Sequence, residues 1–378
     1  MVFGLLSRKY VQPAEAIVKI GGEEASDLYP FISEIKVNAS RHKFAEATIT
    51  LESPADENGY WSVADDDRLQ SWTDISIEAD FQDGSEEIMR GVIYNPAGEY
   101  PIDAGRASFT LTCRDSAAKL SREERIVRWG EPPVGTTDLA IVSALASEHG
   151  LTTDPLNDPG ATGLILSQKG TDIEFLRQRA CANGFELIFS EGAIYFGPMR
   201  VDLEPQDAIM VYAGHKTNCR TFNPANRGER RRVVGFAQRD EHGNPGGVST
   251  VTSDLSQMGT TPAQGSGTGL GETVELLDQQ TVPDGAQTEA YAQGMANEGD
   301  MSLRATGELD GTLYGNVLKV GLPVNVDGTG QRHDGPYYVD EVTHQFDING
   351  YRQGFTLLRN AYGDPEAGLP GNPLAGVL

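Results

Sequence analysis

The sequence predicts a mainly β fold with a small α+β module at its centre. Three observations carry that expectation. Glycine (44 residues) and proline (20) punctuate short segments rich in β-branched and aromatic side chains. Several of these segments alternate apolar and polar residues with the period of two that a half-buried strand requires. Between roughly residues 117 and 200 the spacing becomes helical instead.

The elements follow in order. Residues 16–20 (AIVKI) read as a strand closed by Gly21 and Gly22, and residues 32–37 as a second. In residues 46–51, Ala47, Ile49 and Leu51 alternate with Glu46, Thr48 and Thr50; residues 75–79 repeat the alternation, and strands follow at 87–94 and 107–113. Residues 14–116 are therefore expected to form one antiparallel barrel or closely curved sheet. Residues 138–149 (DLAIVSALASEH) predict a helix, capped by Thr136 or Thr137 and stopped by Gly150. Thr171, Asp172, Ile173 and Glu174 spell a capping box, in which the hydroxyl and the carboxylate satisfy two orphan amides. Ile173, Leu176 and Ala180 fall on one face, and Asn183-Gly184 ends that helix. Residues 185–189 and 193–196 then flank Ser190-Glu191-Gly192 as a hairpin.

Strand patterning returns after residue 204. Residues 211–212, 232–237 and 317–326 read as strands, as do 337–346 and 354–358 around the turn signal Asn349-Gly350. Residues 243–271, rich in Gly, Ser, Thr and Gln, are expected as a long flexible loop, and residues 287–301 as a helix weakened by Gly294. The expected division is a β-domain over 1–116, a helix-hairpin module over 117–203, a second β-domain over 204–362 and a Gly/Pro tail over 363–378.

Thirty Lys and Arg stand against 55 Asp and Glu, a formal net charge of -25. Binding nucleic acid along the general surface, or an anionic membrane, needs the opposite balance. No apolar run reaches the ~18 residues of a membrane span. The amino-terminal apolar patch of Val2, Phe3, Leu5 and Leu6 is broken by Arg8 and Lys9 and lacks the organisation of a signal peptide. Cys113, Cys181 and Cys219 fit no paired spacing, so free thiols and synthesis in a reducing cytosol are expected.

Motifs that carry chemistry are missing. The six histidines fit no metal-binding spacing, and neither a GxSxG elbow nor a phosphate-binding Walker loop occurs. Residues 265–271 (GSGTGLG) fail the dinucleotide spacing, and Asp65, Asp66 and Asp67 lack the EF-hand pattern. Nothing singles out a glycosidase-like pair among the many carboxylates. No catalytic, cofactor-binding or metal-ligating residue is assigned, and the chain is not expected to be an enzyme. Arg227, Arg230, Arg231 and Arg232 form the one basic cluster. It reads either as a solvated loop or as a patch for an acidic partner or another copy, which makes Arg230, Arg231 and Arg232 the candidate partner contacts.

Three segments carry a resemblance. Residues 171–185 (TDIEFLRQRACANGF) with the following hairpin resemble the helix-hairpin module of the late-control protein D family of contractile phage tails, also found in the hub part of VgrG spikes. Residues 321–328 (GLPVNVDG), 335–344 (GPYYVDEVTH) and 354–360 (GFTLLRN) resemble that family's closing barrel strands, and 109–115 (FTLTCRD) the strand end that closes its first barrel. The resemblance implies two tube-like antiparallel β-barrel domains per chain and a homotrimeric baseplate hub. Such a ring adapts a hexameric tail tube protein to a trimeric spike protein. Its implied contacts also include other baseplate proteins and a tape-measure protein, in a virion tail or injection particle assembled in the host cytoplasm. It implies no cofactor, no sequence-specific nucleic-acid binding and no membrane insertion by this chain. A negative channel wall is the expectation from the net charge. The alternatives are a peptidoglycan-degrading or carbohydrate-binding tail protein, and a halophilic chain whose acidity is environmental.

Overall fold

The computed structural model describes residues 13–54, 61, 63–81, 83–100, 106–227, 233–239, 245–263, 274–277 and 285–365. Most of the described strands belong to one 13-stranded sheet. Its first half takes Glu15–Ile20, Ile32–Ser40, Lys43–Pro54, Asp74–Asp80, Ser85–Glu99 and Arg106–Asp115. Across the sheet these run second, third, sixth, fifth, fourth, first, with every neighbour antiparallel. The predicted alternation holds: Ala47, Ile49 and Leu51 are buried while Glu46 is exposed and Thr48 and Thr50 are half-buried; it extends to buried Ala45 and exposed Glu52 on either side. Val18 and Ile20 from one end of this order share a core with Ile35 and Val37 from the other, and with Ile49, Ile77, Leu111 and Cys113 between. A sheet whose two ends fill one core must curl on itself.

The second half uses Gln206–Met210, Cys219–Asn226, Leu303–Asp310, Pro323–Asp327, Gly335–Asp347 and Gly350–Arg359. The order is again second, third, sixth, fifth, fourth, first, so the chain repeats one six-strand topology. Both fifth strands carry a bulge, between Ile93 and Asn95 and between Val339 and Glu341. Two features differ. The first and fourth strands are antiparallel in the first unit and parallel in the second. The turn between second and third strands is Arg41-His42 in the first unit, but residues 227–302 in the second. The units are sewn together where Ile32–Ser40 pairs antiparallel with Gly335–Asp347, from Ser40 opposite Glu341 to Ile35 opposite Phe346.

The middle module holds α1 (Asp138–Glu148), α2 (Asp172–Asn183) and the hairpin Glu186–Ser190 with Ala193–Gly197. Thr137 caps α1, the Thr171–Glu174 box caps α2, and Gly184 ends α2 at φ 66°, all as the sequence predicts. Ile141, Leu145, Ile173, Leu176, Ala180, Ile194 and Phe196 form its core. A third helix, α3 (Gly285–Asp300), crosses the end of α2. A Cβ on Gly294 would lie 2.6 Å from the Gly184 Cα. Gly294, expected only to weaken its helix, is what lets the two backbones meet.

Three expectations are corrected. Val211 and Tyr212 lie beyond a strand that ends at Met210, and the Tyr212 side chain is exposed. Of residues 317–326 only Pro323 onward is strand; Val317, Leu318 and Val320 are buried without joining it, so apolar content there reports burial rather than pairing. The stretch 243–271 is not a loop throughout. Pro245–Thr252 pairs with Val233–Arg239, and Thr261–Pro262 with Ala361–Tyr362. Val234 and Phe236 of that small sheet pack on Ala292 and Ala296 of α3, and the exposed side of the added strand accounts for its polar composition. Residues 264–271 and the tail beyond 365 lie outside the described residues.

Candidate functional site

The most concentrated chemistry lies where the two units, the module and α3 meet. The tight turn after Ile32–Ser40 delivers Arg41, whose backbone N–H donates to the Asp340 carbonyl at 3.1 Å. Its side chain is 0% exposed. The guanidinium bonds Glu186 of the hairpin, lies 2.7 Å from a Glu298 oxygen of α3 and 2.9 Å from Asp340 Oδ1 at the bulge of the second unit. It also stands over the Tyr338 ring, 5.3 Å from the centroid, while the Tyr338 hydroxyl donates to Glu186 at 2.6 Å. Burial alone would lower the Arg41 pKa, but Glu186, Glu298 and Asp340 outweigh it and hold the cation charged. One arginine thus ties four elements from four parts of the sequence. Arginine suits this, because its planar fork offers five donors and stays protonated.

Beside this cluster opens a cleft of about 1030 Å³, lined by Arg177 and Cys181 of α2, Phe185, Met199, and Tyr291 and Met295 of α3. Its one thiol, Cys181, has its pKa raised, by burial first, the opposite of an activated nucleophile. Among the described residues no group of three His, Cys, Asp or Glu could hold a metal ion. The cleft can receive a side chain or segment.

Arg230, Arg231 and Arg232 lie outside the described residues. Arg227 is described, and its N–H donates to the Ser302 carbonyl. Asp66 is engaged by Arg68 at 2.6 Å. The described histidines are scattered: His149 lies 2.7 Å from Asp172, and His344 is buried against the Tyr351 hydroxyl at 2.9 Å. Sequence reading passed over Arg41, because an arginine in the polar turn Ser40-Arg41-His42-Lys43 looks like any solvated turn residue. Its partners lie 145 to 299 positions away.

Solved structures of similar fold include tail proteins and a secretion-system component. The 43 kDa tail protein of prophage MuSo2 from Shewanella oneidensis matches with a TM-score of 0.67 and 14% identity over 92% of this chain and 98% of that one. The tail protein of Neisseria meningitidis MC58 matches with a TM-score of 0.66 and 14% identity, over 92% and 97%. The E. coli c3393 protein, a component of the type VI secretion system, matches with a TM-score of 0.55 and 13% identity, over 93% and 80%. No curated protein matches the sequence. Residues 11–216 match the family model described as the Alg8 N-terminal domain. That span takes in the whole first six-strand unit, the module and the opening strand of the second unit. With more than half of its residues so matched, the chain belongs to the Alg8 N-terminal domain family.

Proposed function

We propose that the chain is a structural protein of a contractile tail or injection particle, three copies of which form a baseplate hub between a sixfold tube and a threefold spike. The observation that carries this reading is the repeated six-strand topology. Three chains with two units each present six similar β units, which suits a sixfold partner on one face and a threefold partner on the other. The fold shared with tail proteins supports the same reading. In it, residues 1–116 and 204–362 are the two tube-like units and 117–203 the module between them. The net charge of -25 makes the wall of the central channel negative, repelling rather than holding a passing phosphate chain. Arg230, Arg231 and Arg232 then face partner carboxylates rather than the channel.

Mass measurement of the chain within purified particles tests this directly. Three copies are expected; a single copy or a pair there refutes the hub. Incubating the protein with peptidoglycan tests the degrading alternative. No soluble fragments are expected, and release that a single carboxylate substitution abolishes would replace the structural reading with an enzymatic one.

A further inference from the structure

The repeat leaves two open edges where the molecule already contains one closed seam. Within the chain, the second strand of the first unit lies against the outer half of the fifth strand of the second unit. The counterparts of those two strands are Cys219–Asn226 and Ser85–Glu99. Among the described residues, neither counterpart has a strand at that position.

The registers fix the correspondence residue by residue. Val37 opposes Ala47, which opposes Cys113; Pro224 opposes Ala305, which opposes Leu357. Cys113 opposes Ile93 just before its bulge, as Leu357 opposes Val339. So residues 222–226 correspond to 35–39, and residues 95–99 to 341–345. Both open stretches face solvent: Asn223, Pro224, Ala225 and Asn226 are exposed, and so are Asn95, Ala97, Gly98 and Glu99.

We propose that the Cys219–Asn226 edge of one copy pairs antiparallel with residues 95–99 of the next copy, repeating between chains the seam that joins the units within one. Transferring the inner register sets Asn226 opposite Pro96, Ala225 opposite Ala97, Pro224 opposite Gly98 and Asn223 opposite Glu99. The occupant is a second copy because the edge that fits each open edge is the one this chain carries on its other side. Such a contact joins two different surfaces, so it propagates head to tail until it closes a ring. For the number of copies at closure the inference rests on the hub reading.

The prolines fit this pairing. Arg227 turns its N–H inward to Ser302, so Asn226, Pro224 and Phe222 turn their backbone groups outward. Pro224 therefore costs no bond inside the chain. In the proposed seam each proline faces a residue with its own amide, so each such pair keeps one of its two hydrogen bonds. The edges accept this one partner weakly and discourage unrelated strands.

Cysteine pairing tests the register. Ala97 and Ala225 would form a non-hydrogen-bonded pair, with Cα atoms ~4.5 Å apart, inside the range a disulfide bridges. The double variant Ala97→Cys with Ala225→Cys is made with the exposed Cys181 changed to Ala, incorporated into particles and oxidised. On a non-reducing gel a covalent trimer is expected as the end product, while either single variant runs as monomer. The off-register pair Ala97→Cys with Asn223→Cys is expected to cross-link far less. Three copies by mass without cross-linking, or equal cross-linking off register, overturns the seam and leaves the hub standing. Cross-linking that closes at another number confirms the seam and overturns the trimer. A single copy in the particle overturns both.

Discussion

The two six-strand units share a strand order but not a filling. Where the first pairs Ile49 with Leu111, the second pairs Gly307 with Phe355. A Cβ on Gly307 would sit 2.5 Å from the Phe355 ring and 2.0 Å from the Thr221 carbonyl, so the ring occupies the space that the missing side chain leaves. The sixth strands end on an acid and a base at corresponding positions. In the first unit buried Asp115 accepts from the Ala45 and Ala117 amides. In the second, fully buried Arg359 donates to the carbonyls of Met258, Asp334 and Gly363 and lies 4.9 Å from the Tyr337 ring centroid. The difference teaches what the topology requires. Strand order follows from connectivity and backbone pairing, and it tolerates different fillings of the core in the two units. Where the second unit accepts the 227–302 insertion, a buried arginine anchors the returning chain at Met258.

The largest expected effect breaks the comparison at its seam. Arg41→Met leaves Glu186 and Asp340 buried without their cation. Losing one partner of a buried ionic cluster costs about 3–5 kcal/mol. Denaturant titration should show that loss, and a change under ~1 kcal/mol would mean the cluster relaxes into water. Next, Leu357→Ala should cost about 2–5 kcal/mol, because the side chain is fully buried. Its counterpart Cys113→Ala, losing a single sulfur atom, should cost clearly less. Equal losses would show that the two positions are not equivalent. Thr171→Ala removes one cap in the module, outside both units, and should cost about 1 kcal/mol; a neutral result would mean that Glu174 alone holds the helix start.

A different kind of effect, read in pH rather than in a deletion, distinguishes the two strand ends. Burial pushes the Asp115 carboxyl up to about 7, against the two amide bonds and the Arg177 charge. The folded state therefore holds its proton more tightly than the unfolded one. The stability from that group is complete below the unfolded value of about 4 and is lost as pH rises through about 7. Relative to Asp115→Asn, the parent protein should lose stability between pH 4 and 7. Parallel stability curves would show that Asp115 is ionised in the fold throughout. Arg359 has no matching transition in this range, since a guanidinium stays protonated there.

What could be read in advance divides along one line. The Thr171 box, the Gly184 stop, the Glu191-Gly192 hairpin and the alternation from Glu46 to Leu51 were all legible, because each is decided by residues within a few positions of one another. Residues 243–271 misled because composition reports solvent exposure, and a strand with an exposed side is as polar as a loop. The Arg41 cluster was invisible, since its meaning comes from three carboxylates distant in sequence. The topological repeat is implied by the resemblance and not by matching residues: Ile49 against Gly307 and Asp115 against Arg359 share no residue type to align. The sequence by itself determined the mainly β class, the central module with its caps, and the acidic charge, which are matters of local propensity and composition. Tertiary structure alone decided that two units share one sheet, that Arg41 is buried rather than solvated, and which edges stay open. Those depend on pairing between strands hundreds of residues apart, and backbone hydrogen bonds carry no side-chain signature.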